Sequence, residues 1–225
     1  MANREPQNMT SKKITICTCS TRHLTDSKKV EELVKQANDE GLEVKLVDDL
    51  CALFEDDDPS IVPIAEGTIA ACHERAVRSL LEWRGYNAAK IINIRTQEPT
   101  RAEGPLSDAW FPIIDKSRCS ECGKCFDFCP FNVYEMVDGR VRVTHPHRCK
   151  NNCPACARNC PSEAIIFPKH EYSPINGGTA QEEDAIRVDH STLYADAFRS
   201  RLINRRNMGT PLFRMGNNED KRREE

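Results

Sequence analysis

CSECGKCFDFCP at residues 119–130 and CKNNCPACARNCP at 149–161 hold eight of the twelve cysteines of a 225-residue chain. The first run is Cys119-x2-Cys122-x2-Cys125-x3-Cys129-Pro130, and the second is Cys149-x3-Cys153-x2-Cys156-x3-Cys160-Pro161. This spacing suits a [4Fe–4S] cube, which needs a thiolate on each iron. Three ligands on a tight loop wrap three corners, and the fourth must arrive from another direction. Each run ends in Cys-Pro, where the proline ring removes a backbone N–H and stiffens the exit of the loop. Zinc is the competing metal, but its sites take four ligands from paired CxxC units, a poor match to two runs of four.

The residues between and after the runs read as small β-structure. YEMVDGRVRV at 134–143 predicts a hairpin with Asp138-Gly139 at its turn. AIIF at 164–167 predicts a short closing strand. Residues 113–168 therefore resemble a bacterial-type ferredoxin domain with two [4Fe–4S] clusters, with one extra residue before Cys153 as the departure. The resemblance implies single-electron relay. It also implies that the fourth cysteine of each run serves the other cluster. On that basis Cys119, Cys122, Cys125 and Cys160 hold one cluster, and Cys149, Cys153, Cys156 and Cys129 hold the other.

Upstream, the pattern alternates strand and helix. Ile14–Ile16, EVKLV at 43–47, residues 67–71 and KIINI at 90–94 are β-prone. Residues 27–40 carry Val30, Leu33, Val34 and Ala37 on one helical face, and residues 73–83 carry Ala76, Val77, Leu80 and Leu81. The expected fold is an α/β N-terminal domain with a small parallel sheet (1–96), a linker with Trp110 and Phe111 as anchor (97–112), an α+β ferredoxin-like dicluster domain (113–168) and an extended C-terminal tail (169–225). A helix over 191–204 is expected within that tail, which is otherwise too polar for a core of its own.

The four remaining cysteines follow strands. Cys17 and Cys19 come after the first, Cys51 after the second and Cys72 after the third. The carboxyl ends of parallel strands share one edge, where ligands bind, so all four are expected on one rim. Two readings stand: ligands of a third site, or buried small hydrophobes, with a redox dithiol as a further use of the CxC pair. CTCSTRHLTD, Leu50-Cys51, IAACHERAVRSLL and NIRTQE resemble, over about residues 14–97, the N-terminal iron–sulfur segment of the flavin-bearing subunit of heterodisulfide reductases. The resemblance implies that Cys17 or Cys19, with Cys51 and Cys72, ligates a third [4Fe–4S] cluster. That family's G-x-G-x-x-G nucleotide fingerprint is missing here, so no flavin is expected on this chain. Its cysteine after Asn-Ile-Arg is also missing, with Glu98-Pro99-Thr100 in its place.

Composition narrows the function classes. A net charge of −3 gives no basic footprint for nucleic acid. No apolar run reaches the length of a membrane span. The first 13 residues are polar, so no secretory signal is expected, and twelve cysteines in a reducing compartment point to metal or redox chemistry. His73 reads as a helix-start residue that caps or faces solvent, with tuning or ligating a cluster as the alternative. His145 and His147 read equally as a titrating charge near a cluster or as surface-loop residues, and Glu55–Asp58 as a solvated loop. No catalytic residue is assigned. The expectation is a cytoplasmic electron-transfer subunit in an anaerobic host. Its partners would be a flavin- or hydrogenase-type donor and a catalytic acceptor, with no nucleic acid and no membrane span. The alternative is a ferredoxin-fed disulfide reductase using the N-terminal cysteines.

Overall fold

The computed structural model describes residues 13–87, 90–96 and 108–179. Strands β1 (Lys13–Cys17), β2 (Glu43–Val47), β3 (Thr68–Ala71) and β4 (Lys90–Asn93) form one parallel sheet in the order β2-β1-β3-β4. Alternation along the strands sorts two cores. Ile14, Ile16 and Ala70 are buried with Ala37 of helix α1 (Ser27–Asp39), whose Val30, Leu33 and Val34 pack alongside. Cys17, Ile69 and Ala71 are buried on the other side, with Phe54 and with Ala76, Val77, Leu80 and Leu81 of helix α4 (Glu74–Trp83). The four strands and both amphipathic helices match the sequence expectation.

Two short helices do not figure in that expectation: α2 (Leu50–Glu55) and α3 (Ile61–Ala65). The acidic run is therefore not wholly loop, since Glu55 closes α2. Asp49 starts α2, its carboxylate accepting the backbone N–H of Ala52 at 3.2 Å.

Beyond residue 108, β5 (Ile113–Ile114) pairs antiparallel with β8 (Ile165–Ile166). Between them lie helix α5 (Lys124–Phe128), the hairpin of β6 (Tyr134–Val137) and β7 (Arg140–Val143), and helix α6 (Ala155–Arg158). Asp138 and Gly139 both take positive φ, +50° and +70°, as a two-residue hairpin turn of the primed type requires.

The described residues all fall in one compact unit. Phe111, Ile113 and Ile166 are buried in the same core as α4 and Phe54. The rings of Trp83 and Phe111 lie 5.1 Å apart, and the Trp83 indole N–H donates to the Val143 carbonyl at 3.0 Å. Arg75 of α4 pairs with Asp115 at 2.7 Å. Within the linker, 97–107 lie outside the described residues, while Trp110 and Phe111 are buried as the expected anchor.

Part of 169–179 is packed, where the sequence suggests an extended tail from 169. Lys169, His170, Ser173 and Asn176 are buried. The buried Arg95 guanidinium donates to the carbonyls of Pro168 at 3.0 Å and His170 at 2.7 Å, tying this strap to the end of β4. The Gly177-Gly178 pair serves close approach. Gly177 has φ +96°, and a Cβ there would stand 2.8 Å from the Ala76 Cβ. Gly177→Ala is expected to cost about 1–3 kcal/mol through strain and overpacking, read as a lower denaturation midpoint. The helix expected over 191–204 lies outside the described residues. Among those described, no helix is long and apolar enough to cross a membrane.

Candidate iron–sulfur centres

Cys119, Cys122, Cys125 and Cys160 line one solvent-open pocket, together with Glu121, Gly123 and Pro161. This is the set expected from the exchange of fourth ligands, and its donors are all thiols. The four are spread around open space. Among the described residues no group of three or more His, Cys, Asp or Glu closes on a single metal-ion position. The second set gathers likewise, with the Cys149 thiol in the electrostatic range of Cys156, Cys153 and Cys129. Cys156 feels Cys129 of its own set and Cys125 of the other, so this side of the second site faces the first.

Backbone geometry explains the extra residue of the second run. Glu121 and Asn152, each immediately before the second cysteine of its run, take positive φ of +53° and +60°. Asn132 and Glu163, three residues past the fourth cysteines, do the same at +52° and +51°. Both runs therefore follow one path from the second cysteine onward. The insertion is absorbed between Cys149 and Asn152, where the Cys153 N–H donates to the Lys150 carbonyl at 3.1 Å.

Several sulfurs accept hydrogen bonds. The Tyr134 hydroxyl donates to Cys156 Sγ at 3.1 Å, and the Ala164 N–H to Cys160 Sγ at 3.3 Å. Such bonds favour the thiolate and the more negative state of whatever the sulfur binds. Burial is the largest influence on most of these thiols, pushing Cys125 up to about 11 and Cys156 up to about 12. The exposed Cys122 is lowered instead, chiefly by the backbone N–H of Lys124. Metal loading of the buried thiols therefore displaces protons.

The N-terminal cysteines meet at the carboxyl edge of the sheet. Cys17 ends β1, Cys19 lies two residues on with φ +47°, Cys51 sits in the first turn of α2, and Cys72 directly follows β3. All four are buried. Cys51 feels Cys72 and Cys17, and Cys17 feels Cys72 and Cys19. Burial raises the Cys17 and Cys51 thiols and pushes Cys19 up to about 11. His73 stands at the N-cap of α4 without a side-chain capping bond and is buried rather than facing solvent, its ring nitrogen 3.4 Å from the Asn93 side chain. His145 lies 3.0 Å from Glu135, and His147 is exposed, 3.5 Å from Glu55.

The four-cysteine edge carries a charge network that the sequence does not announce. Lys169, with a side chain only 3% exposed, donates to Asp49 and, at 2.9 Å, to Asp108. Arg22 grips Asp108 through two nitrogens, at 2.7 and 3.0 Å, and its guanidinium lies 4.6 Å over the Trp110 ring. The same Arg22 reaches the side-chain oxygens of Asn151 at 3.1 Å and Asn152 at 2.9 Å in the second cysteine run.

Comparison with known proteins matches the segment that holds these eight cysteines. Residues 111–161 match the 4Fe-4S dicluster domain family. An uncharacterized ferredoxin of Methanocaldococcus jannaschii is 48% identical over 61 residues, covering 27% of this chain and 42% of that protein. The ferredoxin of Methanothermococcus thermolithotrophicus is 35% identical over 51 residues, covering 23% of this chain and 83% of that protein. The chain belongs to the ferredoxin family. Pyruvate synthase subunit PorD of Methanocaldococcus jannaschii is also similar, 33% identical over 61 residues, or 27% of this chain and 69% of that protein. As a ferredoxin, the chain carries [4Fe–4S] clusters and transfers electrons through them.

Proposed function

We propose that this ferredoxin is an iron–sulfur subunit of a multi-subunit, heterodisulfide-reductase-like oxidoreductase. It relays single electrons between a flavin- or hydrogenase-type donor and a catalytic acceptor in the cytoplasm of an anaerobe. Cys119, Cys122, Cys125 and Cys160 hold one cluster and Cys149, Cys153, Cys156 and Cys129 the second. Cys17 or Cys19, with Cys51 and Cys72, holds a third. The observation that carries the reading is the gathering of four buried cysteines at one sheet edge, in a unit that also contains a two-cluster domain. The similarity to a protein named as a subunit of pyruvate synthase supports membership of a redox complex. The alternative, a dithiol reductase, is weakened by burial, which keeps the Cys17 and Cys19 thiols protonated, whereas reactive thiols are low in pKa and accessible.

Iron and acid-labile sulfide per reconstituted chain, with EPR of the reduced form, test this. About twelve irons are expected, at four per cube, falling to about eight in a Cys51→Ala, Cys72→Ala chain. About eight in the native chain would sink the third cluster and return the N-terminal cysteines to a structural or dithiol role.

A further inference from the structure

The N-terminal cysteine edge has two candidate neighbours, and the contacts favour one of them. Cys149 packs against both cores: the one that buries Cys51, Cys17 and Cys19, and the one that buries Trp110 and Cys156. Cys51, Trp110, Phe111 and Lys169 line a common small cavity, and the Trp110 indole N–H points at the Cys153 carbonyl, 3.4 Å away. Arg22, three residues past Cys19, bonds Asn151 and Asn152 inside the second run. Glu55, at the far end of the helix that carries Cys51, acts electrostatically on Cys149. The cavity of the first-run set is lined only by residues from 119 onward, and its Cys122 is exposed. The dicluster half also touches the N-terminal half through Arg75, which bonds Asp115 ahead of the first run and the Glu163 carbonyl beyond the second, but this contact involves none of the four N-terminal cysteines.

The geometry points to a linear order: the N-terminal cysteine site exchanges electrons with the site of Cys129, Cys149, Cys153 and Cys156, and reaches the Cys119 site only through it. This rests on the third-cluster reading above. One electron moves at each step, oxidising one site by one equivalent and reducing the next, with no bond or proton transferred. The first electron comes from a low-potential one-electron donor, which meets the chain at the exposed Cys122 end.

The test uses the full reconstituted chain, reduced stepwise with dithionite and followed by EPR. Two paramagnets in neighbouring sites broaden each other's signals. The N-terminal signal, identified by its loss in the Cys51→Ala, Cys72→Ala chain, is expected to broaden as the second-run site becomes reduced. Tyr134→Phe removes only the hydroxyl bond to Cys156 Sγ and is expected to lower that site's midpoint, carrying the broadening with it. Broadening that stays put while the second-run midpoint moves overturns the order. A second chain, Cys119→Ser with Cys122→Ser, lacks the first-run site: retained broadening supports the order, and lost broadening overturns it. An iron count of about eight in the native chain would instead overturn the third cluster itself, a separate readout from the broadening.

Discussion

Lys169→Met is expected to destabilise the chain by about 3–5 kcal/mol, the range for removing one partner of a buried ion pair. The Lys169 ammonium is the only partner that Asp49 and Asp108 share among the described ion pairs, and the side chains of Lys169 and Asp108 are just 3% and 2% exposed. Without it Asp108 keeps Arg22, but among the described residues Asp49 keeps only the backbone N–H of Ala52. For a unit of this size such a loss lowers Tm by roughly 6–20 °C, measured on the loaded chain by calorimetry or circular dichroism. Adding Asp49→Asn should recover part of the loss, because the amide still caps α2 while the unpaired charge is gone. The sign with pH follows from Asp108. Burial pushes its carboxyl up, but bonds from Arg22 and Lys169 outweigh burial and hold it below its usual value. A carboxyl depressed on folding contributes stability above its unfolded pKa of about 3.9 and loses that contribution as pH falls through the lower folded value. The gap between native and variant chains is therefore expected to be full near neutrality and to shrink in acid. A gap of under 1 kcal/mol at neutral pH would mean that water replaces the ammonium at little cost and that the network is not structural.

What the sequence disclosed and what it withheld follow from the range of each interaction. Cysteine spacing within a run is local and is set by the size of a cube, so the two runs were legible as cluster loops, while the exchange of their fourth cysteines came only as what the resemblance to two-cluster ferredoxins implies. Asp138-Gly139 is equally local, since two consecutive residues at positive φ need that chemistry. The convergence of Cys17, Cys19, Cys51 and Cys72 was legible because parallel strands share a carboxyl edge. Helices α2 and α3 were not, being six and five residues long, too short for a helical period to repeat. The Arg22, Asp108, Lys169 and Asp49 network was invisible for another reason. Its bonds span 86, 61 and 120 positions, and single charges in polar segments read as surface. The one available signal was compositional: Trp110-Phe111 and Phe167-Pro168, aromatic islands flanking Asp108 and Lys169 in otherwise polar stretches. Gly177-Gly178 read as looseness because a glycine serving close approach and one serving flexibility look the same until Ala76 is found against it.

Removal of iron from the loaded chain is expected to melt one part of this unit and leave the rest. The part that melts comprises the cysteine loops, α5, α6 and the β6–β7 hairpin. Helices of five and four residues lie far below the length at which a helix holds itself, and a lone two-stranded hairpin is marginal in water. α5 has no buried residue, so little but its cysteine anchors it. Cys129 and Cys160 each cross to the other run's set, which makes the two sites a pair of clasps on one small domain, and metal binding there is folding free energy. The part that stays includes β5 and β8. Ile113 and Ile166 are buried in the core of Phe54, Leu80 and Leu81, where aliphatic and aromatic side chains outnumber the cysteines. Hydrogen exchange before and after anaerobic chelation reads the difference residue by residue. The amides of Val141, Cys129 and Asn159, which bond Glu121, Cys125 and Ala155, are expected to lose protection. Those of Thr18 and Ile94, which bond Val47 and Ala71 across the sheet, should keep most of theirs. If the four N-terminal cysteines carry a third cluster, protection around Cys19 and Leu50 should fall as well while α1 holds. Uniform loss across 13–179 would show instead that the shared core depends on the clusters, and the division argued from burial would be wrong.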